Sequence, residues 1–195
     1  RVDRRQRQMC IRDRARTVQP LQTAARALSQ GGVIAHATEG VWGLAADPNN
    51  KEALQRILAL KQRAADKGLL LIAAHADEFA AALAPLDALT QHRVLSSWPG
   101  HVTWVLPNPG YNNLVTGGRN TVACRVPDHE QARQLAKMFG GPIVSTSLNR
   151  AGEEPISDYE GAKEQFGAEL DFVLPGQTAG AMGPSTILQA DGTAL

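Results

Sequence analysis

The stretch "LALKQRAADKGLLLIAA", residues 58–74, joins two apolar segments of different periodicity through three cations, Lys61, Arg63 and Lys67. The first segment has helical spacing over residues 51–61, and this spacing puts Lys61 at the end of the apolar face. The second, "GLLLIAA", is a continuous apolar run, which predicts a short strand covered on both of its faces. A helix that leads directly into a fully buried strand is typical of α/β proteins.

The rest of the chain repeats this alternation. Besides the segments above, we predict helices over residues 21–32, 77–84, 87–97, 129–141 and 158–167, and strands over residues 33–37, 102–106, 121–127, 142–147, 171–174 and 185–188. The segment "TEGVWGLAADPNN", residues 38–50, contains two glycines and a proline, which predict a loop. No segment repeats with a period of roughly 20–50 residues. The pattern therefore predicts a single α/β domain rather than a solenoid.

The composition limits the class of protein. With 195 residues and 43% hydrophobic content, the chain can bury one sizeable core. It has no apolar run near the roughly 20 residues needed to cross a membrane, and we expect a soluble, cytoplasmic protein without membrane contact. Cys10 and Cys124 lie far apart and belong to no metal-binding spacing. The sequence therefore predicts neither a disulfide framework nor a metal site.

Charge is distributed unevenly along the chain. Residues 1–19 contain seven arginines and two aspartates, a net charge of +5, which leaves −4 for residues 20–195 out of the total of +1. We therefore predict a basic, disordered or non-native tail over residues 1–19 and a mildly acidic folded domain over residues 20–195. A basic arm that binds RNA stays open as an alternative for the tail.

The common sequence motifs for nucleotide binding and for nucleophilic catalysis are absent. The chain has no G-x-x-x-x-G-K-[ST], no G-x-G-x-x-G after a strand and no G-x-S-x-G. Its five histidines fall into no metal-ligand spacing. The sequence therefore predicts no protein nucleophile, and any phosphate site must be assembled from other residues.

Polar side chains with suitable chemistry stand at the ends of the predicted elements, where open α/β sheets collect their binding groups. Arginine offers a bidentate fork to a carboxylate, lysine offers a point charge to a phosphate, and small hydroxyls donate to oxyanions in a narrow space. Together these groups suit a zwitterionic substrate beside a polyphosphate. The candidates are Thr38, Lys61, Arg63, Lys67, Thr103, Arg125, Ser145, Ser147, Asn149 and Ser185.

Each candidate also has a purely structural interpretation. Lys61 and Arg63 lie where cations complement the C-terminus of a helix, and Arg125 is able to pair with a nearby carboxylate. Thr38 and the "STSLN" stretch suit caps and turns. Taken one residue at a time, the sequence leaves both interpretations open.

Six stretches occur in the order found in one protein family: "HATEGVWGLAAD", "LKQRAADKGLLLI", "SSWPGHVTWVLP", "VACRVPDH", "PIVSTSLNRAGEEP" and "GPSTIL". Together they resemble the YrdC/TsaC family, the threonylcarbamoyl-AMP synthases of tRNA modification. The resemblance covers about Leu21 to Leu188. The chain ends soon after the last stretch, and we expect the short form of the family, without an additional C-terminal domain.

The resemblance implies a fold and a reaction. The implied fold is a YrdC-like (DHBP-synthase-like) twisted, open mixed sheet with flanking helices and a deep concave site. The implied nucleotidyltransferase reaction makes threonylcarbamoyl-adenylate and pyrophosphate from L-threonine, bicarbonate or CO2, and ATP. Carboxylated threonine attacks the α-phosphate, while the site supplies positioning and charge stabilisation. Mg2+ would be held mainly by the phosphates.

The same resemblance implies the roles of single residues. Thr38, Arg125 and Ser185 match threonine-binding positions, and Lys67 matches a further contact to this substrate. Lys61 and Arg63 match cations that stabilise charge. The positions that match the nucleotide side are Lys61, Arg63, Thr103, Ser145, Ser147 and Asn149.

The family also implies partners. Because an acyl-adenylate is labile, we expect a downstream threonylcarbamoyl transferase complex that modifies adenosine in tRNA to threonylcarbamoyladenosine (t6A). The alternative function is a paralogue that binds nucleotide, double-stranded RNA or tRNA without synthesis. Direct contact with tRNA or double-stranded RNA is a hypothesis in both cases.

Four positions depart from the family pattern, which has proline at Ala37 and Ala64, threonine, alanine or a similar residue at Gly40, and alanine at Leu148. Proline fixes one backbone dihedral and glycine frees another, so Ala37 and Gly40 are expected to loosen the loop that carries Thr38. Leu148 is expected to place a bulkier side chain between two predicted ligand residues.

Overall fold

The computed structural model describes residues 18–195, which form one α/β domain built on an eight-stranded mixed sheet. The prediction of a single α/β domain with helices beside a mixed sheet is confirmed. Residues 1–17, and with them nearly all of the predicted basic tail, lie outside the described residues. Within residues 18–195, no helix is both long enough and apolar enough to span a bilayer.

The described elements follow the predicted ones closely, except at β2, at α5 and at the helix predicted over residues 77–84, whose first half is a 3-10 helix, Ala76–Phe79. The helices are α1 (residues 18–29), α2 (Lys51–Leu60), α3 (Ala80–Leu83), α4 (Ala88–Ser96), α5 (Asn113–Thr116), α6 (Glu130–Phe139) and α7 (Tyr159–Phe166). The strands are β1 (Ile34–Ala37), β2 (Trp42–Ala46), β3 (Leu70–Ile72), β4 (Val102–Pro107), β5 (Thr121–Arg125), β6 (Ile143–Ser147), β7 (Phe172–Val173) and β8 (Thr186–Gln189).

The strand order is β7-β1-β2-β6-β3-β5-β4-β8. The pairs β1/β7, β3/β5 and β4/β8 are parallel, and the other four pairs are antiparallel. Strand β6 therefore lies in the middle of the sheet, where Ser145 pairs with Ala45 and Ser147 pairs with Gly43. This order brings polar residues of β6 next to β2 and β3, which are distant from it in sequence.

One predicted loop is wrong, because Trp42–Ala46 forms β2 between β1 and β6. All five residues of this strand are buried, so it shows none of the polar alternation of a half-exposed strand. Its glycine and two alanines also have low strand propensity. Pairing with two neighbouring strands overrides that local preference. The single turn α5 was not predicted either; it is capped by Asn112, whose side chain accepts a hydrogen bond from Leu114 N at 2.9 Å.

The helices flank the sheet asymmetrically. Helices α1 and α6 pack on one face, where Leu21, Leu28 and Leu135 join Ile34 and Ile143 in an apolar cluster. Helices α2, α3, α4, α5 and α7 pack on the opposite face, in a larger cluster. Among the described residues, the cluster under α1 and α6 includes none from β4, β5 or β8. That uncovered part of the sheet holds a cavity.

Candidate functional site

The cavity has a volume of about 500 Å³, within the range of small-molecule sites. Small side chains form its floor, among them Gly43, Ala123 and Ser145. These residues lie on three strands, β2, β5 and β6, and the pairing register places them on the same face of the sheet. The floor is tight at Gly43, where an added Cβ would lie 3.0 Å from Ser145 Oγ. Small residues on this face thus leave space above the sheet.

The cavity is lined by cations at both ends. Four cationic side chains line it, and no acidic side chain does so among the described residues. Strand β5 runs between the two ends and spans about 13 Å at ~3.3 Å per residue. The Arg125 end is lined by His101, Arg125 and Ser185, and Glu39 pairs with Arg125 outside the lining. The Arg63 end consists of Arg63, Lys67 and Arg119. The arrangement suits an elongated anionic ligand.

At the Arg125 end, three acceptors fix the guanidinium of Arg125. It forms an ion pair with Glu39 Oε1, and the two side chains are only 4% and 5% exposed. Arg125 Nε donates to Gly100 O at 3.0 Å, and Arg125 Nη2 donates to His101 Nδ1 at 3.1 Å. Glu39 Oε1 also accepts from Asp128 N at 2.7 Å. A guanidinium held in this way is preorganised to bind a carboxylate.

Two hydroxyl side chains line the cavity beside this end. Thr38, next to Glu39 in the chain, donates through Oγ1 to Val41 O at 2.7 Å. Ser185 Oγ lies 2.8 Å from Thr103 Oγ1. Thr103 itself is fully buried behind Ser185. Each cavity hydroxyl is therefore positioned by an internal hydrogen bond.

At the Arg63 end, the three cations are exposed and their internal contacts are long. Arg63 Nη2 lies 3.4 Å from Gly68 O, and Arg119 Nη1 lies 3.4 Å from Thr116 O. Partial desolvation, and then the charge of Arg119, lower the pKa of Arg63 from its ordinary value, although arginine stays charged in proteins. The positive charges of Arg63 and Arg119 repel each other until an anion neutralises them.

Lys61 lies behind the cavity rather than in its wall. The residue is 4% exposed, and its Nζ donates to Asn149 Oδ1 at 2.9 Å, to Asn149 O at 3.2 Å and to Ser147 O. Burial, and then the charge of Arg63, lower the pKa of Lys61 to about 8. Ser147 lines the cavity, so the buried ammonium holds a cavity residue in place.

Ser145 on the cavity floor pairs with a buried histidine. His36 Nε2 lies 3.0 Å from Ser145 Oγ, and His36 Nδ1 lies 3.1 Å from Ala37 O. Because a carbonyl oxygen only accepts, we assign the proton to Nδ1, which makes Nε2 the acceptor of the serine hydroxyl. Burial, and then the charge of His129, lower the pKa of His36 to about 3. This histidine is too weak a base to activate the serine near neutral pH.

The structure brings together most of the predicted site residues. Those that line the cavity are Thr38, Arg63, Lys67, Arg125, Ser145, Ser147 and Ser185. Those outside its lining are Lys61, Thr103 and Asn149. Lys67 lies at the Arg63 end, although the resemblance assigned it to threonine. The sequence analysis missed Arg119 and His101; the position of His101 directly before a predicted strand was the available signal for this residue.

Gly40 does not loosen the loop that carries Thr38. An added Cβ at Gly40 would lie 2.1 Å from Gly183 O, so the glycine permits a close approach of two loops. The contact is completed by Ala181 N, which donates to Glu39 O at 3.0 Å. The absence of a side chain at Gly40 thus brings the segment before Ser185 against the segment that carries Glu39.

The fold also accommodates the other three residues that depart from the family pattern, Leu148, Ala37 and Ala64. Leu148 is fully buried in the larger apolar cluster, so its bulk lies in the core and not in the cavity. Ala37 is buried at the end of β1, where strand pairing with Trp42 fixes the backbone before Thr38. Ala64 has φ −63° and ψ 140°, a conformation that proline also adopts.

Comparison with known proteins supports the same interpretation of the fold. The sequence model of the Sua5/YciO/YrdC family, described as "Telomere recombination", matches residues 26–194. The threonylcarbamoyl-AMP synthase of Hahella chejuensis is 43% identical over 171 residues, which cover 87% of this chain and 93% of the relative. That of Chromohalobacter salexigens is 45% identical over 172 residues, which cover 88% and 92% of the two chains.

Solved structures show the same fold. Sua5 of P. abyssi, solved in complex with L-threonine, superposes with a TM-score of 0.81 at 28% identity and matches 87% of this chain. The match covers 50% of that Sua5 chain, so this chain spans about half the length of Sua5. E. coli YciO superposes with a TM-score of 0.73 at 26% identity, over 87% of this chain and 82% of YciO. The chain belongs to the Sua5/YciO/YrdC family.

Proposed function

We propose that this protein is a threonylcarbamoyl-AMP synthase, a nucleotidyltransferase that makes threonylcarbamoyl-adenylate and pyrophosphate from L-threonine, bicarbonate or CO2, and ATP. The observation that carries the proposal is the cavity with cations at both ends and no acidic side chain in its lining among the described residues. The names of the curated relatives, and the L-threonine in the Sua5 structure, support it.

The two ends of the cavity divide the substrates between them. The Arg125 end takes the carboxylate of threonine, because Arg125 is fixed in orientation by Glu39 and a fixed fork selects a planar anion. Thr38 and Ser185 take the remaining polar groups of the amino acid. The Arg63 end takes the triphosphate, whose charge the exposed cations neutralise. In this proposal Lys67 contacts phosphate, since it lies beside Arg63.

The proposed chemistry needs no protein nucleophile. The amine of threonine adds to CO2, which bicarbonate supplies by losing hydroxide, and the amine proton passes to solvent, which gives a carbamate. A carbamate oxygen then forms a bond to the α-phosphorus of ATP in line with the leaving pyrophosphate, and the bond from that phosphorus to the bridging oxygen breaks. The cavity acts by holding the two substrates in line and by stabilising charge on the phosphoryl oxygens.

ATP enters this reaction with its Mg2+. Among residues 18–195, no group of three or more His, Cys, Asp or Glu side chains is placed to hold a metal ion. Because Mg2+ keeps several waters and binds readily through substrate phosphates, these residues suit a metal that arrives with the nucleotide. We therefore treat Mg2+ as part of the substrate.

The proposal is tested by pyrophosphate release from purified protein given Mg-ATP, bicarbonate and L-threonine. We expect release that depends on both threonine and bicarbonate and that, at ATP concentrations well below the KM, falls about tenfold in Arg63→Ala. The matched control is Lys137→Ala, which removes an exposed cation from α6, outside the cavity, and should retain full activity. Folded protein that releases no threonine-dependent pyrophosphate would overturn the proposal.

The alternative, a paralogue that binds double-stranded RNA, tRNA or nucleotide without synthesis, is not favoured, because the curated relatives are named as synthases.

The labile product of the proposed reaction requires an acceptor. We propose that a threonylcarbamoyl transferase complex passes it to tRNA, and direct tRNA contact by this chain belongs to the same proposal. Addition of such a complex and tRNA to the assay should convert the product into t6A.

A further inference from the structure

The donors of Arg125 are only partly used within the protein. Its five N–H groups comprise one on Nε and two on each Nη. Nε is bonded to Gly100 O, and Nη2 is bonded to Glu39 and His101. Nη1 has no hydrogen-bond partner among the described residues. The pairing therefore fixes one side of the guanidinium and leaves two N–H groups for a ligand.

The bond to Arg125 also sets the tautomer of His101. An arginine only donates, so His101 Nδ1 accepts in the 3.1 Å contact with Arg125 Nη2. In a neutral imidazole with Nδ1 as acceptor, the proton lies on Nε2. His101 Nε2 is buried and has no hydrogen-bond partner within residues 18–195. A buried N–H without an acceptor is costly and requires an explanation.

His101 lies in the wall of the cavity, beside the other groups of the Arg125 end. The residue lines the cavity together with Arg125 and Ser185. Its backbone is fixed because His101 O accepts from Thr186 N at 3.2 Å, where β8 begins beside β4. The histidine thus connects the guanidinium of Arg125 to the strand that follows Ser185.

We propose that His101 is a further ligand-binding residue of the Arg125 end. Its Nδ1 holds Arg125, and its Nε2–H donates to an oxyanion of the bound ligand. The assignment rests on the proposed function, in which that oxyanion is the carboxylate of threonine. A phosphate oxygen offers the same chemistry, but the exposed cations that suit a triphosphate lie at the other end of β5, about 13 Å away at ~3.3 Å per residue.

Two substitutions separate the role of Nε2 from that of Nδ1. In His101→Asn the side-chain oxygen takes the place of Nδ1 and still accepts from Arg125, but the distal N–H is lost. In His101→Phe both functions are lost while a ring remains. We expect His101→Asn to weaken L-threonine binding at least tenfold by calorimetry, and His101→Phe to weaken it further. The KM for ATP should change less than twofold in either variant.

A second ligand makes the test specific for the carboxylate. L-threoninol has the amine and the hydroxyl of threonine but no carboxylate, and the ratio of threonine to threoninol affinity should fall in His101→Asn. An unchanged ratio, or threonine binding equal to wild type in His101→Asn, would overturn the direct contact. An equal rise in the KM for ATP would assign the oxyanion to phosphate and overturn the proposal as stated. If His101→Phe does not fold, the comparison of His101→Asn with the wild type is sufficient for the test.

The same measurements separate this inference from the proposed function. Wild-type protein that binds threonine but releases no pyrophosphate overturns the synthase proposal and leaves the His101 comparison valid. Wild-type protein that binds neither threonine nor threoninol overturns both. Threonine-dependent release by the wild type, together with weakened binding in His101→Asn, supports both.

Discussion

The two ends of the cavity use positive charge in opposite ways. At the Arg125 end, the cation is 4% exposed, paired with Glu39 and bonded to Gly100 O and His101 Nδ1. At the Arg63 end, the cations are exposed, and Arg63 lies 3.4 Å from Gly68 O and 3.5 Å from Lys67 O. The first end orients a donor group before a ligand arrives, whereas the second concentrates charge and adapts to the ligand.

This difference matches the two kinds of ligand in the proposed reaction. A preorganised donor in a desolvated site gives orientation without rearrangement during the reaction. Exposed cations can bind a flexible polyanion in many orientations, but solvent and salt screen their charge. Orientation is therefore expected from the Arg125 end and attraction from the Arg63 end. Substitutions, pH and salt should affect the two ends unequally.

The largest effect is expected from Arg125→Ala. The substitution leaves Glu39 as a buried carboxylate without its cation, which should lower the free energy of unfolding by about 3–5 kcal/mol. It also removes the proposed carboxylate ligand, so threonine-dependent pyrophosphate release should fall at least a thousandfold. Denaturant unfolding and the release assay measure the two effects separately.

The matched control for Arg125 is Arg133→Ala. Arg133 pairs with Asp128 at 3.4 Å, but the two side chains are 25% and 73% exposed, so the loss should stay below about 1 kcal/mol. The double variant Glu39→Gln/Arg125→Met removes both buried charges and should recover stability without activity. Wild-type stability in Arg125→Ala would contradict the account of a buried, paired end.

Most of the fold could be predicted because its elements carry their own periodicity. Helix α6 shows apolar residues at helical spacing and ends at Gly140, which has φ 100°, as its sequence indicates. Strand β2 has no such signal, since Trp42–Ala46 is buried throughout and rich in small residues. Its strand conformation depends on pairing with β1 and β6, which is non-local information.

The candidate site could be predicted only at the level of residue position. Placement at the ends of predicted strands identified Arg125 and Ser145 as candidates. The direction of Lys61 could not be predicted, because its acceptors lie at the end of β6 and in the loop after it, more than 80 residues away in the chain. Arg119 stands in a turn without periodicity, and His101 meets Arg125 only once β4 pairs with β5.

Burial lowers the pKa of Lys61, which has no carboxylate partner. It is as buried as Arg125, but its acceptors are neutral oxygens, and its pKa is lowered from 10.5 to about 8. Between these pH values the unfolded chain binds a proton that the folded chain does not. The free energy of unfolding should therefore rise with pH in this window by on the order of 1–3 kcal/mol.

The comparison that isolates Lys61 is Lys61→Met. The variant lacks the titrating amine, whereas the other lysines and tyrosines titrate in both proteins, so the difference between the two curves reports on Lys61. Urea unfolding at pH 8 and at pH 10.5 gives this difference. Parallel pH profiles for the two proteins would show that Lys61 has an ordinary pKa and would contradict its buried, unpaired state.

A smaller effect is expected from single alanine substitutions at the Arg63 end. Arg63→Ala, Lys67→Ala and Arg119→Ala should each raise the KM for ATP about tenfold, roughly 1.4 kcal/mol, because each removes one phosphate contact. Their exposed positions predict changes in unfolding free energy within about 0.5 kcal/mol. A rise in the KM for threonine rather than ATP in Lys67→Ala would return Lys67 to the threonine site, as the family resemblance implies.

The smallest effect is expected from ionic strength. Raising salt from about 0.1 M to about 1 M shortens the Debye length from about 10 Å to about 3 Å, which should raise the KM for ATP a few-fold through the exposed Arg63 end. The KM for threonine should change less, because Arg125 is desolvated and already paired with Glu39. The double variant Arg63→Ala/Arg119→Ala should flatten the salt dependence for ATP. An equally steep dependence for threonine would mean that solvent ions reach Arg125, and the contrast between a preformed end and an adaptable end would no longer hold.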